Sequence, residues 1–248
     1  MNRLPNYKEA VSRRGGNLYH RGKRLWHGNI QGRDMHFLVD KKERFAYLPI
    51  PKVACTSLKV AFLDLENPHL YTKLSKKDNF WIHHHLFCQS IYWKSSDEIH
   101  NFRGFRFAVI RDPIDRLSST YTNRVIVSKD LNLPGTDHRA LRRLGLPIFP
   151  DIDTFFQNVS AYAKSSRSIA HHVRPQKYYI RDRSLFDKIY RMEDLAELAH
   201  DIESHCGVHF NLHEKNKTDF EKPVISRLSR EAAFEYYEQD FELFSDIL

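Results

Sequence analysis

The sequence predicts an α/β fold of three layers, a central, mostly parallel sheet flanked by helices. Three observations carry this. Short apolar runs such as residues 44–50 (RFAYLPI), 105–110 (FRFAVI) and 186–190 (FDKIY) end in prolines or charged residues, as buried strands do. Apolar residues at helical spacing follow them. Short strands alternating with helices are the pattern of a parallel-sheet α/β fold. The 248 residues fit one large domain or two small ones, and a hydrophobic share of 41% suffices for a real core.

In chain order, residues 1–34 are polar, basic and weakly patterned around Gly15-Gly16, and read as an irregular arm. The patterning changes at Met35, so the folded domain is placed at 35–248. The first strand, 44–50, stops at Pro49 and Pro51. Leu58, Phe62 and Leu65 then mark a helix. The second strand, 105–110, stops at Asp112-Pro113, where Asp112 caps a helix and Pro113 takes its first position, with Leu117 and Tyr121 further along. Residues 128–150, with Gly, Pro and many charges, read as a surface insertion. The third strand, 186–190, leads to a helix from about Asp194. In the last segment Leu228, Ala232, Tyr236 and Phe241 fall at near-helical intervals.

In parallel α/β sheets ligands sit at the carboxyl ends of the strands, and two unusual loops occupy that place. The first is Pro51-Lys52-Val53-Ala54-Cys55-Thr56-Ser57-Leu58-Lys59. Successive N–H groups at a helix N-terminus bind anions, aided by the helix dipole. Thr56 and Ser57 add hydroxyls and Lys52 a mobile charge. The architecture is P-loop-like, yet no glycine occurs between Gly32 and Gly104, so neither GxxxxGK[ST] nor GxGxxG can be placed there. A cysteine phosphatase loop needs an arginine six positions after its cysteine, and that position from Cys55 is Ala61. The plainer alternative is a capped helix with a solvated Lys52. In the second loop, Arg111 stands at the exit of the buried strand, where a guanidinium clamps a phosphate bidentately. Ser119, on the helix that follows, leans back toward it. The plainer alternative is a surface pair of Arg111 with Asp115.

The net charge of +8 points to an anionic partner without choosing among nucleic acid, nucleotide, glycan and membrane surface. Basic patches such as His138-Arg139 and Arg142-Arg143 suit an anionic saccharide. No helix-turn-helix, RNP or zinc-finger pattern is present, so nucleic acid is not expected. Cys55, Cys88 and Cys206 are odd in number and widely spaced, which fits a reducing compartment rather than a disulfide framework or cysteine zinc site. With no apolar leader or spanning stretch, a cytoplasmic protein is expected, peripheral membrane contact remaining open.

Together the two loops are far more specific than either alone. PKVACTSLK resembles the 5′-phosphosulfate loop of the Golgi-type carbohydrate sulfotransferases, and VIRDPIDRLSSTY resembles their 3′-phosphate motif. The pattern is most like the heparan-sulfate 2-O- and chondroitin or dermatan sulfotransferases and their bacterial relatives. Residues 172–176 (HVRPQ), 186–195 (FDKIYRMEDL), 216–218 (NKT) and 237–244 (YEQDFELF) are similar to further segments of that family. The likeness spans roughly residues 45–246. The sequence shows neither the spanning stretch nor the cysteine pairs of many animal members, so a minimal member without an anchor is expected.

The resemblance implies transfer of a sulfuryl group from 3′-phosphoadenosine 5′-phosphosulfate (PAPS) to a hydroxyl of a carbohydrate or glycolipid, without a metal. It implies that Lys52 stabilises the leaving oxygen. Val53, Ala54, Cys55, Thr56 and Ser57 would hold the 5′-phosphosulfate, and Arg111 and Ser119 the 3′-phosphate. Lys217, in the Asn-Lys-Thr segment, is a further cofactor-binding candidate. The segment Ile82-His83-His84-His85-Leu86 resembles the HxH segment of the 2-O-sulfotransferases, which implies His85 as the base and His83 as its neighbour; a carboxylate base stays open. Three adjacent histidines, with His171 or His172, also suggest a metal site, but no acidic partner pattern supports one. Two other functions remain to be separated from transfer: a P-loop kinase acting on a small molecule, which the missing GK[ST] argues against, and a non-catalytic basic binding module, which needs no loop geometry.

Overall fold

Residues 36–66, 92–212 and 223–248 are described by the computed structural model, and all belong to one compact unit, His36–Leu248. The N-terminal arm, His83, His84, His85, Cys88 and Lys217 lie outside the described residues. The sheet runs β3-β1-β2-β4-β5, with β1 at His36–Val39, β2 at Phe45–Leu48, β3 at Tyr92–Ser95, β4 at Phe105–Ile110 and β5 at Lys188–Arg191.

The fold is α/β, as the sequence predicts, but the sheet is mixed rather than mostly parallel. β2, β4 and β5 run parallel, while β1 pairs antiparallel with both β2 and β3. The sequence reading missed β1 and β3, which are only four residues each. The tight turn from β1 into β2 explains the antiparallel pairing. Asp40, fully buried in that turn, accepts hydrogen bonds from the Arg44 and Phe45 amides and from Arg44 Nε at 2.7 Å. The predicted strands at 44–50 and 105–110 are β2 and β4, adjacent and parallel, so the two unusual loops leave the sheet side by side at its carboxyl edge.

Helix α1, Cys55–Glu66, follows β2 and buries Leu58 and Phe62. Phe62 packs edge-on to Phe45 at 4.7 Å, and Tyr47 stacks on Phe107 at 5.2 Å, so one aromatic core joins α1, β2 and β4. Helix α2, Pro113–Thr120, follows β4. Asp112 caps it as expected, accepting from the Ile114 and Asp115 amides, both at 2.9 Å. A π-helical turn, Tyr121–Val127, extends it.

A second core lies among helices: α3 (Ile152–Gln157), α4 (Val159–Ser165), α5 (Arg167–Val173) and, near the C-terminus, α7 (Arg227–Tyr236). Between these, α6 (Leu195–Cys206) follows β5, and α8 (Glu238–Leu243) follows α7. Two expectations change here. Residues 128–150 are not merely a surface insertion, because Leu131 and Leu141 are fully buried in this second core. Leu228 does not face inward; Ser229, Ala233, Tyr237, Asp240 and Phe244 do. Two of these are polar, so an apolar count finds the wrong stripe. Among the described residues no helix is long and apolar enough to cross a membrane.

Candidate active site

The first loop is strained where other phosphate loops use glycine. Lys52 and Ala54 adopt left-handed backbone angles, φ 69° and 57°, at a cost on the order of 1–3 kcal/mol each. Burial of Val53 between them holds the loop, as does Arg116, whose Nε donates to the Pro51 carbonyl at 2.9 Å. α1 then begins at Cys55, and the Leu58 amide is already bonded to the Ala54 carbonyl. The amides of Cys55, Thr56 and Ser57 precede that ladder, which is where a helix end offers N–H groups to an anion.

Arg111 leaves β4 half-buried. Gln176, fully buried, clamps its peptide from both sides: the Arg111 amide donates to Gln176 Oε1 at 3.0 Å, and Gln176 Nε2 donates to the Arg111 carbonyl at 2.8 Å. Asp240, also fully buried, accepts from the Gln176 and Lys177 amides, both at 2.8 Å. The HVRPQ and YEQDFELF segments therefore act as a brace that ends on Arg111. Sequence reasoning noted both segments but not that they touch. Ser119 sits half-buried near the end of α2.

Charge converges between the loops. Burial, followed by the Arg124, Arg111 and Arg116 charges, pushes Lys52 from 10.5 down to about 8, with Cys55 opposing. Burial also lowers Arg111. Arg111 Nε, Arg124 Nε and both terminal nitrogens of Arg116 are buried without hydrogen-bond partners among the described residues. Unmade bonds from buried guanidinium groups are costly, and a polyanion with several phosphate-like oxygens would complete them. The donor set thus fits PAPS. Arg116 and Arg124 were not among the sequence candidates as ligands. The pattern at Arg116, every third or fourth residue on the helix, was visible, but its full burial was not.

His172 lies beside this cluster. Its Nδ1 is 2.8 Å from the Ser168 carbonyl, an acceptor, so Nδ1 carries the proton and Nε2 the lone pair. Burial, then the Arg124, His171 and Lys52 charges, depresses it well below 6.5. The described residues contain no group of three or more side chains suited to a metal; His83, His84 and His85 lie outside them. Cys55 and Cys206 are free thiols.

A cleft of about 840 Å³ lies at the opposite end of the sheet, by Arg103, Phe105 and Asp187. Several of its charges are paired, Arg106 with Asp187 at 2.8 Å and Lys188 with Asp201 at 2.7 Å. Among the described residues, the buried arginine donors without partners, on Arg111, Arg116 and Arg124, belong instead to the carboxyl edge, where ligands of such sheets bind.

The sequence profile of the Sulfotransferase family matches residues 35–245. The chain belongs to the sulfotransferase family. No curated protein and no solved structure matches it. Membership makes this chain a PAPS-dependent transferase and decides against the kinase and the non-catalytic binding module. The sulfotransferase match spans both loops and the brace that joins them.

Proposed function

We propose that this sulfotransferase moves the sulfuryl group of PAPS to a hydroxyl of a carbohydrate or glycolipid acceptor. The observation that supports the donor side is the set of unpartnered arginine N–H groups around Lys52. In this reading the first-turn amides of Cys55, Thr56 and Ser57, with Val53 and Ala54 shaping the loop, receive the 5′-phosphosulfate. Arg111 and Ser119 receive the 3′-phosphate, and Lys217 is a further contact to the nucleotide. The acceptor side rests on the resemblance of the two loops to carbohydrate sulfotransferases and on the basic surface helix His138–Arg143, which suits an anionic saccharide.

The chemistry is in-line displacement. The acceptor oxygen forms a bond to sulfur as the bond from sulfur to the bridging oxygen breaks. The electron pair leaves on the 5′-phosphate of 3′,5′-bisphosphoadenosine (PAP), and Lys52 neutralises the charge that develops there. The acceptor proton goes to His85 as base, with His83 orienting it. A nucleophile, a leaving group and a base account for every proton and charge, so no metal is needed in this scheme.

The test is transfer of label from PAPS to a panel of glycans and glycolipids, with wild type beside His85→Ala. Wild type should label one acceptor class. The variant should bind PAP normally and transfer about 10²–10⁴-fold more slowly. Labelling of no carbohydrate, with labelling of another hydroxyl compound, would overturn the acceptor assignment; full turnover by the variant would remove His85 from it.

A further inference from the structure

Arg124 has no role in the scheme above, yet its charge acts on both Lys52 and His172. It lies on the π-helical turn that extends α2. Such turns are rare and recur at functional sites. Here the Ser128 amide reaches back five residues to the Asn123 carbonyl, the wide bond of a π-helical turn.

The partners of the guanidinium are few. Nη1 lies 3.8 Å from Asp130 Oδ2, an ion pair beyond hydrogen-bond distance. Asp130, itself 4% exposed, accepts the Ser168 hydroxyl. Nε is buried and has no partner among the described residues. Asp130 thus faces one side of the fork, and the edge formed by Nε and Nη2 is left without a bond among the described residues. Of the three arginines around Lys52, Arg124 weighs on it most, and it is also the charge that weighs most on His172.

We propose that Arg124 is a catalytic residue of the transfer, its Nε–Nη2 edge binding two oxygens of the sulfuryl group beside Lys52. This rests on the reading of the two loops as the PAPS site. Within that reading the other anionic groups already have donors: the 3′-phosphate has Arg111 and Ser119, and the 5′-phosphate has the first turn of α1. The sulfuryl group is the anion next to Lys52, and its oxygens carry the charge that is shared during displacement. A planar fork matches two such oxygens, and a fixed donor there stabilises the transition state without reorganising. Arg124 neither takes nor gives a proton; the acceptor proton still goes to the base and the electron pair to PAP.

The experiment compares PAPS with PAP, which lacks the sulfuryl group, by calorimetry on the full chain. Arg124→Gln should bind PAPS about ten- to a hundredfold more weakly, as loss of a charge-assisted hydrogen bond dictates, and PAP within about threefold of wild type. Arg124→Lys keeps a cation facing Asp130 but not the fork, so it should show a smaller loss confined to PAPS; it carries the test if the glutamine variant does not fold, as judged by circular dichroism. Equal losses for PAPS and PAP would make Arg124 a phosphate contact and overturn the proposal, as would unchanged binding of both. Wild-type protein that binds neither nucleotide would overturn the loop assignment and this proposal with it.

Discussion

Lys52→Met should make the free protein more stable while destroying its transfer activity. Lys52 is pushed from 10.5 down to about 8, chiefly by burial and then by three arginines. At about 1.36 kcal/mol per pH unit, this corresponds to a charge that costs the fold roughly 3 kcal/mol when present. At pH 7 Lys52 is protonated in both folded and unfolded chains, so wild type bears the whole cost. Between about pH 8 and 10.5 the native lysine loses its proton while the unfolded one keeps it, so more protons are bound in the unfolded state and wild-type stability rises with pH. Methionine has a similar reach, no charge and the same need to occupy φ 69°, so backbone strain cancels in the comparison. Urea unfolding followed by circular dichroism should show the variant more stable by up to roughly 3 kcal/mol at pH 7, with the gap closing toward pH 10.5. Added PAP should stabilise wild type by mass action and the variant much less. A variant no more stable than wild type at pH 7, or a gap that ignores pH, would refute the claim that Lys52 is held charged at a cost the ligand relieves.

Arg111→Ala should weaken PAP about ten- to a hundredfold yet hardly change binding of adenosine 5′-phosphosulfate, which lacks the 3′-phosphate; equal losses in calorimetry would mean that Arg111 does not read that group. His172 stays neutral when folded because burial and nearby cations hold it well below 6.5. As pH falls through 6.5 the unfolded chain gains a proton that the native one refuses, so stability is lost on the acid side. His172→Gln should flatten that loss below about pH 6.5 in a thermal-unfolding series; an unchanged slope would remove His172 as its source. Gln176→Ala leaves the Arg111 amide and carbonyl without their clamp. It should cost about 1–3 kcal/mol in denaturant unfolding and also weaken PAP; lost stability with unaltered PAP affinity would confine the brace to folding.

Strong local patterns were legible without coordinates. The apolar run 105–110 is β4 to the residue, because four of its six side chains are fully buried and nothing polar interrupts them. Asp112 and Pro113 announce α2 because a cap and a first-turn proline act on their immediate neighbours alone. The two loop motifs depend in the same way on short stretches of chain, and they led to the right family. The strands β1 and β3 were not legible, since four residues give too little alternation to count.

What the sequence by itself determined was therefore local: the α/β class, the strands that carry the loops, the caps, and the residue types at two strand ends. What only the tertiary structure decided is which distant side chains share one dielectric. Lys52, Arg111, Arg116 and Arg124 span more than seventy positions of chain, and only the parallel pairing of β2 with β4 sets them around one point. Gln176 reaches Arg111 from 65 residues away, and Asp240 holds Gln176 from 64 residues further on, through hydrogen bonds that no spacing rule encodes. The cost of burying those charges, and hence the affinity for an anion that relieves it, exists only once the chain has excluded water from all of them together.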